Sequence, residues 1–187
     1  RLYLLPTSGG AFYTYTGEQW LEAYAEALTE EEETRIGDEL LAAARETGVV
    51  DIESPSFGPR LEFRGSQVSF SALGQEAPLT QKEAWDPEGT KRRALALAAA
   101  ERLPGYDVKS GGLTTVDVTR KGVNKAFGIR KLAELLSIPV SEMLYIGDAL
   151  YPGGNDEAVK ETGIPTRAVE SPKDTETVIE KLLKDAA

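Results

Sequence analysis

The residues best placed to do chemistry lie in Leu144-Tyr145-Ile146-Gly147-Asp148-Ala149-Leu150-Tyr151-Pro152-Gly153-Gly154-Asn155-Asp156. A short apolar run ends in Gly147-Asp148, which puts Asp148 at the carboxyl end of a strand. In open α/β sheets that edge is where ligands bind. The Gly153-Gly154 turn then presents Asn155 and Asp156 at the mouth of the next helix. Two carboxylates and a carboxamide on one loop suit a hard cation that keeps several of its waters. A plainer reading makes the loop a tight strand-to-helix turn with Asp156 as helix cap. That reading leaves Asp148 without a role.

A second group, Lys121-Gly122-Val123-Asn124-Lys125, opens the helix that precedes this strand. A lysine at a helix start opposes the helix dipole. It is therefore either solvated or placed there for an anion.

Composition narrows the chemistry further. The chain has no cysteine and no histidine, so thiol nucleophiles, Ser-His and Cys-His mechanisms and Cys-based zinc sites are excluded within it. Acid–base work falls to carboxylates, Lys or Tyr, and any metal must take oxygen ligands, as magnesium does. With 31 acidic against 21 basic residues, the net charge is −10, which argues against nucleic acid or an anionic membrane as partner. No stretch approaches the roughly 18 apolar residues of a membrane span. The chain reads as soluble and cytoplasmic.

These residues need elements to position them. Arg1–Leu5 is strand-like, and Ala11–Tyr15 with Trp20–Leu28 reads as a hairpin around Thr16-Gly17, although the second segment also fits a helix. Thr29 and the acids behind it start a helix that runs to about Glu46 and stops at Gly48. Arg60–Arg64 and Gln67–Ser71 alternate apolar and polar residues, as a half-buried hairpin does. An alanine-rich helix, Lys91–Arg102, precedes a strand pair, Tyr106–Lys109 and Leu113–Val118. Beyond it the rhythm becomes helix, short apolar strand, helix: Val123–Leu136, Met143–Ile146, Asn155–Thr162, Thr166–Val169, and a last helix from Ser171-Pro172. That alternation marks a parallel, doubly wound sheet.

Gly111-Gly112-Leu113-Thr114-Thr115-Val116-Asp117-Val118, Gly122-Val123-Asn124-Lys125, Gly147-Asp148 and Pro152-Gly153-Gly154-Asn155-Asp156 together resemble the haloacid-dehalogenase superfamily. The last motif, with Leu61-Glu62-Phe63-Arg64 and its hairpin, resembles the phosphomannomutase-like branch. The resemblance implies an α/β fold: a partial, doubly wound parallel core (residues 1–9 and 119–187) with an inserted α+β cap containing an antiparallel sheet (residues 10–118). It implies a magnesium-dependent phosphatase or phosphotransferase acting on sugar phosphates or similar small phosphometabolites. Lys125 would neutralise the transferring phosphoryl group. Asp148 would hold Mg2+, with Asp156 and Asn155 completing or supporting the site. Thr115 and Asp117 would face the substrate from the cap, and Arg64 would hold a distal phosphate or carboxylate. The cap is also a surface through which a homodimer could form.

Two departures bear on function. The superfamily's Asp-x-Asp nucleophile motif has no counterpart here, and Asp117-Val118-Thr119 is a near miss in a cap strand. The phospho-aspartate is accordingly expected outside this chain, Arg1–Gly10 is expected to match the entry into the cap, and the chain by itself is expected to be inactive. In addition, Gly74-Gln75 stands where phosphomannomutases carry Gly-Arg. A glutamine gives no charge-assisted, bidentate grip on phosphate. This favours a phosphatase over a phosphomannomutase. A non-catalytic module that binds a phosphometabolite or a protein is the reading from another class.

Overall fold

A computed structural model describes residues 1–185. The chain divides into two compact units, Arg1–Asn124 and the residues from Lys125 onward.

The first unit opens with a three-stranded antiparallel sheet, ordered β1 (Tyr3–Leu4), β2 (Ala11–Tyr15), β3 (Trp20–Ala25). The ambiguous segment after Thr16-Gly17 is thus a strand, and it pairs along the whole of β2. Helix α1 (Glu30–Thr47) starts at Thr29, whose hydroxyl accepts from the Glu32 N–H while the Glu32 carboxylate accepts from the Thr29 N–H. It ends at Gly48, left-handed at φ 60°, as expected for a residue without Cβ.

The larger sheet is antiparallel, ordered β4 (Leu61–Phe63), β5 (Gln67–Ser71), β7 (Thr115–Arg120), β6 (Tyr106–Ser110). Its two faces differ because side chains alternate. Val68 and Phe70 pair with Val118 and Val116, and these pack under Ile36, Leu40 and Ala44 of α1 and Leu95 and Ala99 of α3 (Thr90–Arg102). Burying each such Leu, Ile, Val or Phe stabilises by roughly 1.5–3 kcal/mol. On the opposite face Glu62, Ser69, Asp117 and Lys109 stand in one row, with Ser71 and Thr115 in the next. The hairpin was expected to be half buried, yet all five β5 residues are buried, because β5 is a central strand with neighbours on both edges. Ser69 Oγ is buried without a hydrogen-bond partner among the described residues.

A short helix, α2 (Leu79–Trp85), lies in a segment whose sequence shows no clear periodicity. After it, Asp86 anchors the start of α3. Its carboxylate accepts from the N–H groups of Lys91 (3.1 Å) and Arg92 (3.0 Å) and from Arg92 Nε (3.1 Å). Arg92 in turn reaches the Gly111 and Gly112 carbonyls, tying α3 to the β6–β7 turn. Burial pushes the Asp86 pKa up, but these hydrogen bonds and the Arg92 charge outweigh it and hold the group below its ordinary value. Asp86→Ala should destabilise the first unit by about 2–4 kcal/mol in chemical denaturation. The folded pKa is the depressed one. The contribution is therefore present above the ordinary carboxylate pKa, and the wild-type advantage should shrink as acid protonates Asp86.

The second unit contains α4 (Lys125–Leu136), β8 (Tyr145–Gly147), β9 (Thr166–Ala168) and α5 (Pro172–Asp185). β8 and β9 are parallel, with Tyr145, Ile146 and Gly147 opposite Thr166, Arg167 and Ala168. Leu150, Val159 and Ile164 form its small core, lined by Ile129, Val140, Met143 and Tyr145. The helix expected over Asn155–Thr162 is a 3₁₀ segment, Glu157–Thr162, closed by Gly163 at φ 74°. Leu144 is exposed beside β8. Among the described residues no helix is long and apolar enough to cross a membrane.

Candidate active site

Lys125 is the first residue of α4. Its ammonium group donates to Asp156 Oδ1 and to Asn155 Oδ1, the latter at 3.2 Å. Tyr145 Oη donates to the same Asp156 oxygen at 2.7 Å, and the Ala149 N–H donates to Asp156 Oδ2 at 3.1 Å. The Asp156 N–H returns a hydrogen bond to the Ala149 carbonyl at 3.1 Å, so backbone and side chain clasp each other across the loop. Asp156 is thus not a helix cap: its side chain makes no capping bond to the 3₁₀ segment it precedes.

Asp156 is 2% exposed. An unpaired carboxylate at such a position would be protonated rather than charged. Burial is the largest single influence and pushes its pKa up. Hydrogen bonds from Lys125, Tyr145 and Ala149, with the Lys125 charge, more than offset it and hold the pKa below the ordinary carboxylate value. The Tyr145 hydroxyl is pushed far up, first by burial and then by its hydrogen bond to Asp156 and the charges of Asp156 and Asp148. Tyr145 therefore acts here as a donor.

Glycines make the room. A Cβ on Gly147 would collide with the Asp156 carboxylate and the Tyr145 ring, and one on Gly154 would run into the Ala149 carbonyl.

Asp148 follows β8 and is exposed, and its carboxylate makes no hydrogen bond or ion pair among the described residues. With both Asp156 oxygens engaged, Asp148 is the carboxylate open to a cation, and Asn155 adds a carboxamide beside Lys125. Magnesium commonly binds through one or two carboxylates, waters and a substrate phosphate, and this donor set fits it. No group of three or more acidic side chains that could hold a metal occurs among the described residues. Any ion here would therefore keep water or substrate oxygens.

The other expected residues lie in the first unit. Thr115 and Asp117 are two apart on β7 and share its polar face, where both crowd Gly111. Arg64 follows β4, ion-paired to Glu62 at 2.5 Å and bonded to Gln67 Oε1 at 3.2 Å. Gln75 lies beyond β5, its carboxamide donating to the Arg60 carbonyl at 3.5 Å. Tyr145 was not singled out from the sequence, where it reads as one more apolar residue of a buried strand.

A family model, Eukaryotic phosphomannomutase, matches residues 25–185. The chain belongs to the eukaryotic phosphomannomutase family. Among curated relatives, a phosphomannomutase from Nicotiana benthamiana is 26% identical over 134 residues, covering 68% of this chain and 51% of the relative. One from Arabidopsis thaliana is 27% identical, covering 68% and 52%. The chain thus spans about half the length of the curated relatives it matches. Among solved structures, the IMP-bound IMP-nucleotidase of Plasmodium falciparum superposes with a TM-score of 0.65 at 13% identity, covering 97% of this chain and 48% of that one. A haloacid dehalogenase-like hydrolase from Bacteroides thetaiotaomicron gives 0.55 at 14% identity, covering 96% and 76%. These likenesses place this phosphomannomutase-family chain in the haloacid-dehalogenase fold.

Proposed function

We propose that this chain forms part of a magnesium-dependent phosphotransferase that hydrolyses small phosphorylated metabolites of the sugar-phosphate class. The observation that carries the reading is the pairing of the buried Asp156 carboxylate with Lys125 at the carboxyl end of β8, next to the open carboxylate of Asp148. Phosphoryl transfer depends on positioning and charge neutralisation. Lys125 supplies a fixed positive charge for a phosphoryl oxygen, and Asp156 holds it in place. Asp148, with Asn155 of the same loop, would hold magnesium, which when bound neutralises charge on the transferring group. The attacking carboxylate would come from outside these 187 residues.

In the first unit, Arg64, Thr115 and Asp117 are proposed to contact the substrate. They share the polar face of the sheet with the buried, unpartnered Ser69 hydroxyl, a face able to hydrogen-bond a polyhydroxylated molecule. The family favours a second reading, a phosphomannomutase. Against it, Gln75 offers a neutral amide already turned to the Arg60 carbonyl, so it adds no positive charge for a second phosphate. The test is phosphate release from a panel of sugar monophosphates by protein expressed from the complete reading frame. Release should require magnesium and stop on chelation. Interconversion of sugar-phosphate isomers without net release would favour the mutase. Neither activity would leave the non-catalytic module, binding a phosphometabolite if phosphate still binds and a protein if it does not.

A further inference from the structure

Tyr145 donates to the very oxygen of Asp156 that receives Lys125, at 2.7 Å, while the Ala149 N–H holds the other oxygen at 3.1 Å. Each Asp156 oxygen is thereby tied from a different direction, and the carboxylate plane cannot turn without breaking a bond. The Tyr145 ring is itself fixed: it lies on β8, packs against Leu150, Val159 and Ile164, and fits only because Gly147, on the same strand face, has no Cβ. Lys125, by contrast, has a long side chain that is 30% exposed, and its ammonium group is held by Asp156 and, at 3.2 Å, by Asn155. Of its two partners Asn155 is exposed and Asp156 is buried, so its position follows chiefly from what fixes the Asp156 carboxylate.

We propose that Tyr145 is a positioning residue that locks the Asp156 carboxylate and so aims the Lys125 ammonium group at its anion. The anion named here, a phosphoryl group, rests on the function proposed above, whereas the lock itself does not. A buried carboxylate bonded only to a flexible lysine and one N–H would swing, taking the ammonium group with it. With the tyrosine in place, the ammonium group stays put and keeps one donor for a ligand oxygen, since an ammonium group has three and Asp156 and Asn155 take two.

The experiment uses Tyr145→Phe, which keeps the ring and removes the hydroxyl. In the wild-type chain, the Lys125 side-chain ammonium signal in ¹H–¹⁵N spectra should be resolved, because its protons exchange slowly. In Tyr145→Phe, at a temperature where both proteins are folded, that signal should broaden beyond detection. Binding of inorganic phosphate in the presence of magnesium should weaken by about tenfold, the worth of one hydrogen bond to a charged group. An unchanged Lys125 signal in a folded Tyr145→Phe protein overturns the proposal. Should Tyr145→Phe fail to fold, the wild-type chain decides. In mixed H₂O and D₂O, the Cζ carbon of Tyr145 should split into two lines that mark a slowly exchanging hydroxyl, and a single averaged line there overturns the lock. If the lysine signal is lost but neither protein binds phosphate, the lock stands and the phosphoryl-transfer reading falls.

Discussion

Replacing Lys125 with methionine should destabilise the second unit by about 3 kcal/mol, the low end for removing one partner of a buried ion pair. The low end applies because Lys125 keeps 30% of its side chain in solvent, while Asp156 keeps only 2%. The loss is not the worth of the ion pair itself. It is the cost of leaving a carboxylate buried with only Tyr145 and the Ala149 N–H to hold it. Neutralising the aspartate should therefore rescue the variant. Lys125→Met with Asp156→Asn removes the stranded charge, keeps an amide oxygen to accept from the Ala149 N–H and lets the amide NH2 donate to Tyr145 Oη, so the double variant should regain most of the loss. Urea unfolding followed on resonances of β8 and β9 reports this unit separately. A double variant no more stable than Lys125→Met would mean that the charge does not cause the defect.

Much of the fold was legible because its signals are local. Thr29 and Gly48 bracket α1 through a capping box and a left-handed glycine, and both depend on single residues. The alternation in β4 and β5 and the glycine turn before β7 mark antiparallel strand pairs, but not which strand is central. Burial of Gln67, Ser69 and Ser71 follows from pairing with β7, far along the chain, and no local pattern reports it. Helix α2 was missed because none of its seven residues is fully buried and only Trp85 packs partly against the core, so no apolar stripe marks it. The site divides in the same way. Residue type and loop position single out Lys125, Asn155 and Asp156, and the fold brings the three into hydrogen-bond contact. What each carboxylate does was not legible. The sequence makes Asp148 and Asp156 look alike, whereas the fold buries Asp156 as the anchor of Lys125 and leaves Asp148 open. Tyr145 escaped notice because its hydroxyl matters only once Asp156 folds back onto β8.

That asymmetry leads to an opposite pattern for Asp148. Asp148→Asn should leave stability within about 0.5 kcal/mol of wild type, as for an exposed side chain without partners. If anything the protein should gain slightly, because net charge of −10 is reduced by one. Activity should respond differently. In the function proposed above this carboxylate is the charged ligand for magnesium, and an amide keeps the shape but loses the charge that makes a hard cation bind. A bound ion of this kind is worth several kcal/mol in the transition state, so the variant should lose about 10²–10⁴-fold in phosphate release by the complete protein. Raising magnesium should restore part of that rate in Asp148→Asn, because the defect is in holding the ion. It should restore none in Lys125→Met, where the missing charge belongs to the protein. The measurement is a magnesium titration of sugar-phosphate hydrolysis for wild type and both variants, with unfolding curves taken on the same preparations. An Asp148→Asn protein that is fully active at low magnesium would remove Asp148 from the metal site. One that is inactive because it has unfolded would contradict the exposed, unpartnered position of the carboxylate.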